Sequence, residues 1–164
     1  MKPLLLYLAL GSLMLLSACV TTPEFDTRGV NRTLTPASVA RAPAPAIGET
    51  VIWGGMILSI RNLTDRTQLE ILAYPLDSRD RPKPDAEPIG RFILTQRGYL
   101  EPAEYAAGRF VSLRGRITGS RRGKIDETDY RYPVVEAEKL FLWSKQFQEE
   151  RPRIHFGFGV IIAN

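Results

Sequence analysis

Between Arg109 and Gly119 the chain alternates: Val111, Leu113 and Ile117 fall on one side of an extended backbone, and Ser112, Arg114, Arg116 and Thr118 on the other. A period of two fits a strand with one buried face. It excludes an amphipathic helix, whose apolar positions recur every three or four residues. The pattern returns in Thr67–Leu76, where Leu69, Ile71 and Ala73 oppose Gln68 and Glu70. It returns again in Val134–Trp143, where Val135 and Ala137 oppose Glu136 and Glu138. Val51–Ile60 is a longer apolar run rich in β-prone residues, with Gly54 and Gly55 inside it. A glycine pair in a strand marks a bulge or a sharp coil of the sheet. Ile89–Thr95 makes a fifth strand.

The connections follow from their residues. Arg61–Arg66 is a polar turn, Asp77–Pro88 is a charged, proline-bearing loop, and Ser120–Lys124 is a turn. In Tyr99–Gly108, Pro102 fits the first position of a short helix and Gly108 its stop. Three strands, a short helix and two strands is the element order of an OB-type barrel. The expected fold is therefore all-β, an OB-like barrel of five or six strands with one short helix. The sixth strand would come from Ile154–Ile162. There Ile154, Phe156, Phe158, Val160 and Ile162 share one face, while His155, Gly157 and Gly159 leave the other nearly bare. Exposed, such a strand invites aggregation, so it is expected on a sheet edge of this chain or of a partner.

The N-terminus reads as an export and anchoring signal. Lys2 precedes an apolar run, Leu4–Leu16, that is too short to span a bilayer as a helix. It ends in Leu16-Ser17-Ala18-Cys19, which resembles the lipobox of bacterial lipoproteins. That resemblance implies cleavage after residue 18 and acylation of Cys19. Val20, in place of an aspartate, implies delivery to the outer membrane, with the domain facing the periplasm. Each buried methylene contributes about 0.8 kcal/mol, so one chain holds marginally and three hold essentially permanently. Residues 19–48, rich in Thr, Pro and Ala, are expected to be a tether spanning about 30 Å as a flexible coil. The alternative is that they pack on the domain. Thr35-Pro36 would cap a short helix there. The expected organisation is a signal at 1–18, a lipidated tether at 19–48, a barrel at 49–144 and a C-terminal segment at 145–164.

Cys19 is the only cysteine and His155 the only histidine among 164 residues. An acylated Cys19 leaves no thiol for disulfides, catalysis or metal binding, so no cofactor or metal is expected. A Ser-His-Asp set would have to use His155.

From Glu49 to Trp143 the chain resembles the Slp family of Gram-negative outer-membrane lipoproteins. The segments that carry this are Leu69-Glu70-Ile71-Leu72-Ala73-Tyr74-Pro75-Leu76-Asp77 and Gly98-Tyr99-Leu100-Glu101-Pro102-Ala103-Glu104-Tyr105. Gly115-Arg116-Ile117-Thr118-Gly119 and Tyr130-Arg131-Tyr132-Pro133-Val134-Val135 follow, leading to Leu142-Trp143. The Phe/Gly/Ile tail departs from the Tyr-, Trp- and Pro-rich tails of the family. The resemblance implies a non-enzymatic lipoprotein held in the membrane by acyl chains on Cys19. It supplies no catalytic residues, and it associates the chain with envelope stress.

Two residue sets remain as candidate chemistry. Arg114, Arg116, Arg121, Arg122 and Lys124 form a basic set, with Tyr130 and Tyr132 nearby in sequence. On an OB barrel such a set ordinarily prompts a nucleic-acid reading. An outer-membrane location instead favours an anionic lipid or glycan, or another envelope protein, and no nucleic acid. The bland reading is a solvated face paired with Glu136 and Glu138 across strands. The second set is Glu101 and Glu104, with Asp126, Glu127 and Asp129. An enzyme acting on envelope glycans would need two carboxylates converging across a cleft. Solvated turns explain both groups as well.

Overall fold

The computed structural model of the chain describes residues 22–145 and 147. Five strands form the barrel: β1 (Thr50–Asn62), β2 (Arg66–Ala73), β3 (Arg91–Arg97), β4 (Phe110–Ile125) and β5 (Thr128–Leu142). They close in the order β1-β2-β3-β5-β4. All neighbours are antiparallel except β3 and β5, which run parallel over Ile93–Thr95 against Val134–Glu136. This is the OB arrangement expected from the element order. The alternating positions point as read. Leu69, Ile71, Ala73, Val111, Leu113, Ile117 and Val135 are fully buried, around Trp53 packed edge-on against Phe92 at 5.2 Å.

The glycine pair has a different role from the one expected. The register shift in β1 lies between Ile57 and Ser59, beyond the glycines. At Gly55 a Cβ would lie 2.0 Å from the Leu72 carbonyl oxygen, and at Gly54 it would lie 2.7 Å from that of Val111. The pair lets β2 and β4 approach β1 from opposite sides.

The helix expected at Pro102–Gly108 is a turn. Tyr105 N–H donates to the Glu101 carbonyl at 3.0 Å, which closes one turn. Gly108 N–H then donates to Ile57 at 2.9 Å and pulls the chain back onto β1 before a second turn forms. Leu100 and Tyr105 cover this end of the core. Thr67 and Asn62 hold the segment: Thr67 Oγ1 donates to the Gly98 carbonyl at 2.9 Å, and Asn62 Nδ2 to that of Leu100 at 3.0 Å. Tyr99 is exposed.

Among the described residues the short α-helix lies instead in the segment read as a flexible tether. Helix α1 (Pro36–Arg41) starts at a capping box in which Thr35 and Ser38 exchange side-chain to backbone hydrogen bonds, with Pro36 in the first turn. Residues 25–48 pack on the barrel. Phe25, Val39 and Ala46 are buried, and Trp53 Nε1 donates to the Leu34 carbonyl at 2.9 Å. The prolines and alanines suggested a solvated coil. Burial of Val39 and Ala46 in the core, together with that tryptophan bond, makes them part of the fold.

The expected turn at Ser120–Lys124 is strand. Strands β4 and β5 pair continuously to Ile125 and Thr128, and the turn is Asp126-Glu127, with Asp126 at φ 52. Gly123 reads as a turn residue but lies against the Tyr132 ring, where a Cβ would be 3.0 Å from Cε2. A second apolar layer covers the outside of β4: Phe110, Trp143 and Phe147, with Met56, Tyr74 and Phe141 against them. The guanidinium of Arg81 sits 4.7 Å from the Phe147 ring. The expected sixth strand and His155 lie outside the described residues, as does Cys19.

Candidate binding groove

The basic set divides once the β4–β5 register is known. Arg114 is committed to the N-terminal segment. Its Nε donates to the Asp26 carbonyl at 2.8 Å and its Nη2 to that of Arg28 at 3.3 Å, and its Nη1 pairs with Glu138. Arg116 Nη1 donates to the Gly48 carbonyl at 2.9 Å, and its Nη2 lies 3.8 Å from Glu138. These two arginines strap residues 26–48 to the barrel. Lys139 Nζ adds a bond to the Glu24 carbonyl. The side chain and backbone N–H of Arg28 beside Asp26 hold that carboxyl at about 2, below its ordinary 3.8. Arg121 Nη1 donates to Gln68 Oε1 at 3.2 Å. Lys124 stands opposite Asp129 in the ladder.

Arg122 is different. It stands directly opposite Arg131 across β4 and β5. Like charges facing each other at a ladder position are destabilising. Both residues line a groove of about 990 Å³ between the hairpin, α1 and residues 88–90. Arg41, in the last turn of α1, enters from the other side. None of these three arginines makes a side-chain hydrogen bond or ion pair with a described residue. Asp129 is the one carboxylate in the lining, so positive charge is in excess by two. Ala37, Ala40, Pro88 and Ile89 give the groove an apolar wall. At Gly90 (φ 115) a Cβ would lie 2.7 Å from the Ala37 nitrogen, so a glycine lets α1 close on β3.

Tyr130 also lines the groove but is occupied. Its hydroxyl accepts from Arg91 N–H at 2.9 Å and donates to the Arg91 carbonyl at 3.3 Å. Its ring packs edge-on against Tyr132 at 4.8 Å.

The carboxylate candidates sit apart. Glu101 and Glu104 lie in the turn after β3, and Glu101 accepts from the Tyr99 hydroxyl at 3.4 Å. Asp126 and Glu127 form the hairpin turn. Among the described residues no three His, Cys, Asp or Glu side chains cluster as metal ligands.

The profile of the family described as "Outer membrane lipoprotein Slp family" matches residues 16–160. The chain belongs to that family. Its fold domain is accordingly that of a lipoprotein anchored by lipid in the outer membrane. Similar members include the "Uncharacterized lipoprotein YeaY" of Escherichia coli, 33% identical, with 79% of this chain and 67% of that protein covered. The "Outer membrane protein Slp" of the same organism is 31% identical, with 83% and 73% covered. An uncharacterized protein of Haemophilus influenzae is 36% identical over 58% of this chain, which spans about half of that protein's length (52%). Among solved structures, a small single-stranded DNA-binding protein from Streptomyces coelicolor is 16% identical with a TM-score of 0.35, covering 58% of this chain and 94% of its own. That likeness carries no argument about ligands.

Two groove arginines escaped the sequence reading. Arg41 sits in the Pro/Ala run, and Arg131 stands outside the basic run of β4. The available signal was the pair of β-prone flanks, Ile125 and Tyr130, around Asp126-Glu127. Placing the turn there puts Arg131 opposite Arg122.

Proposed function

We propose that this lipoprotein is a non-enzymatic binding module, anchored through acyl chains on Cys19 and facing the periplasm, and that its groove holds another component of the envelope. The observation that carries this is the Arg122–Arg131 pair with Arg41. Three arginines line one open groove, two of them opposed across a ladder, and none is paired with a described residue. Like charges facing each other at a ladder position are destabilising, and an anionic partner would relieve that. Arg114 and Arg116, by contrast, do structural work and need no ligand.

Anchoring would place the groove close to the bilayer. Phe25 is buried on the barrel, so six residues of chain separate it from Cys19. At 3.3–3.6 Å per residue, six residues span at most about 20 Å. The test is in-cell photocrosslinking from residues 122 and 131, with residue 116 as control. A discrete adduct from the groove and none from residue 116 supports the proposal. Equal labelling from all three, or none, overturns it. Loss of a cellular phenotype in folded Glu101→Gln or Asp129→Asn variants, with crosslinking unchanged, would point to carboxylate chemistry instead.

A further inference from the structure

The groove's charge and its wall together narrow the ligand, on the footing that the groove is the binding site just proposed. We infer that it takes a lipid whose headgroup ends in a phosphomonoester, with the phosphate on Arg41, Arg122 and Arg131 and the adjoining acyl methylenes along Ala37, Ala40 and Ile89.

The charge balance favours this headgroup. Three arginines against Asp129 leave two positive charges in excess. A phosphomonoester carries about −1.5 to −2 at neutral pH, and a phosphodiester carries one charge. Guanidiniums also match phosphate oxygens in a bidentate fork, which an ammonium does not. The opposed pair Arg122 and Arg131 is best neutralised by one dianion lying between them.

The wall separates a lipid from a free ion. At about 990 Å³ the groove is at the upper end of the range for small-molecule sites and far larger than a phosphate needs. The Ala37–Ala40 side of α1, with Ile89, offers apolar surface next to the arginines. A nucleic-acid strand is a poorer fit despite the OB topology. Single strands bind by stacking bases on aromatic faces. The tyrosine in the lining, Tyr130, is held by Arg91's backbone and packed against Tyr132.

The experiment is native mass spectrometry of the acylated, full-length protein in non-ionic detergent. Phosphatidate, phosphatidylglycerol or inorganic phosphate is added in separate arms. Retention of one phosphatidate, at least tenfold better than phosphatidylglycerol and displaced by inorganic phosphate only in large excess, is the expected result. Equal retention of the two lipids removes the phosphomonoester assignment. Displacement by phosphate at comparable concentration makes the site one for free phosphate. Arg131→Gln should lower phosphatidate retention at least tenfold, whereas Arg97→Gln, at an arginine outside the groove lining, should leave it unchanged. Arg131→Gln should also unfold at a higher temperature than the parent, because it relieves the opposed charges. That shift reports folding independently, so a variant that binds less and melts higher is not a misfolded one. Unchanged retention in Arg131→Gln overturns the inference. A groove adduct in cells that proves to be protein or glycan, with no phosphatidate retained, overturns the ligand class and leaves the binding-module proposal standing. With neither, both fall.

Discussion

Ser112→Ala removes one oxygen from the barrel's outer layer and should be among the most damaging small substitutions in the chain. Ser112 is fully buried. Its hydroxyl donates to the Asp80 carbonyl at 2.6 Å and accepts from Trp143 Nε1 at 2.9 Å. Alanine preserves strand geometry and most of the packing but orphans a buried donor and a buried acceptor. Each orphan costs about 1–3 kcal/mol. Some relaxation of the 77–88 loop offsets part of this, so the net loss should be about 2–4 kcal/mol. Two consequences follow through the same contacts. Trp143 anchors Phe147 and Phe110, with ring centroids 5.2 Å apart in the first pair and 4.8 Å between the two phenylalanines. Asp80 accepts from Arg32 Nη1 at 2.8 Å, so the loop also holds the N-terminal segment. Urea unfolding followed by tryptophan fluorescence gives the measurement. With a slope of about 2 kcal/mol/M, the midpoint should fall by about 1–2 M. In a Trp143→Phe background the donor is already gone, and Ser112→Ala should cost about 1–2 kcal/mol less. A midpoint shift under about 0.25 M, or equal costs in both backgrounds, would refute the role assigned to this hydroxyl.

Three other outcomes are expected. Gly55→Ala drives a Cβ to 2.0 Å from the Leu72 carbonyl and should destabilise by about 3 kcal/mol, read as a lower melting temperature, with amide exchange increasing first along β1–β2. The Asp26 carboxyl should titrate near 2 by carbon-detected NMR and return toward 3.8 in Arg28→Ala. Because its folded value is depressed, its stabilising contribution is complete above about 3.8 and is lost as pH falls through about 2, leaving neutral-pH behaviour unchanged. Arg114→Ala cuts the ties to Asp26, Arg28 and Glu138 and should expose Arg28 to trypsin several-fold faster, while barrel stability changes by only about 1 kcal/mol.

The barrel was legible because its signal is local. Val111, Leu113 and Ile117 declare a buried face by spacing alone, and β4 and β5 bury what they announce. The misreadings came where a residue's role depends on something distant in sequence. Gly123 looks like a turn until Tyr132 is laid over it. Gly54 and Gly55 look like a bulge until β2 and β4 arrive on either side. Pro102 and Gly108 bracket a plausible helix, but Gly108 is claimed by Ile57, 51 residues earlier in the chain. Thr35-Pro36, whose capping chemistry is local, was legible as a helix start even inside a segment otherwise read as coil. The groove was half legible for the same reason. Arg122 stands out in a basic run, but its partners come from a helix and from the opposite arm of a hairpin that turns only after Ile125.

The N-terminal segment links the anchor to the groove in a way neither shows alone. Leu100 and Tyr105 cover one region of the core, while Leu34, Val39 and Ala46 fill another around Val51 and Trp53. Without residues 34–46, Trp53 Nε1 loses its acceptor and this part of the core faces water. The segment from Phe25 onward is therefore packed as part of the domain. The same segment carries Arg41 into the groove. Pulling on the leash would act first on the straps made by Lys139 and Arg114, at Glu24 to Arg28, well before the force reaches α1. Those surface bonds are the weak element, and the buried Val39 and Ala46 are the strong one.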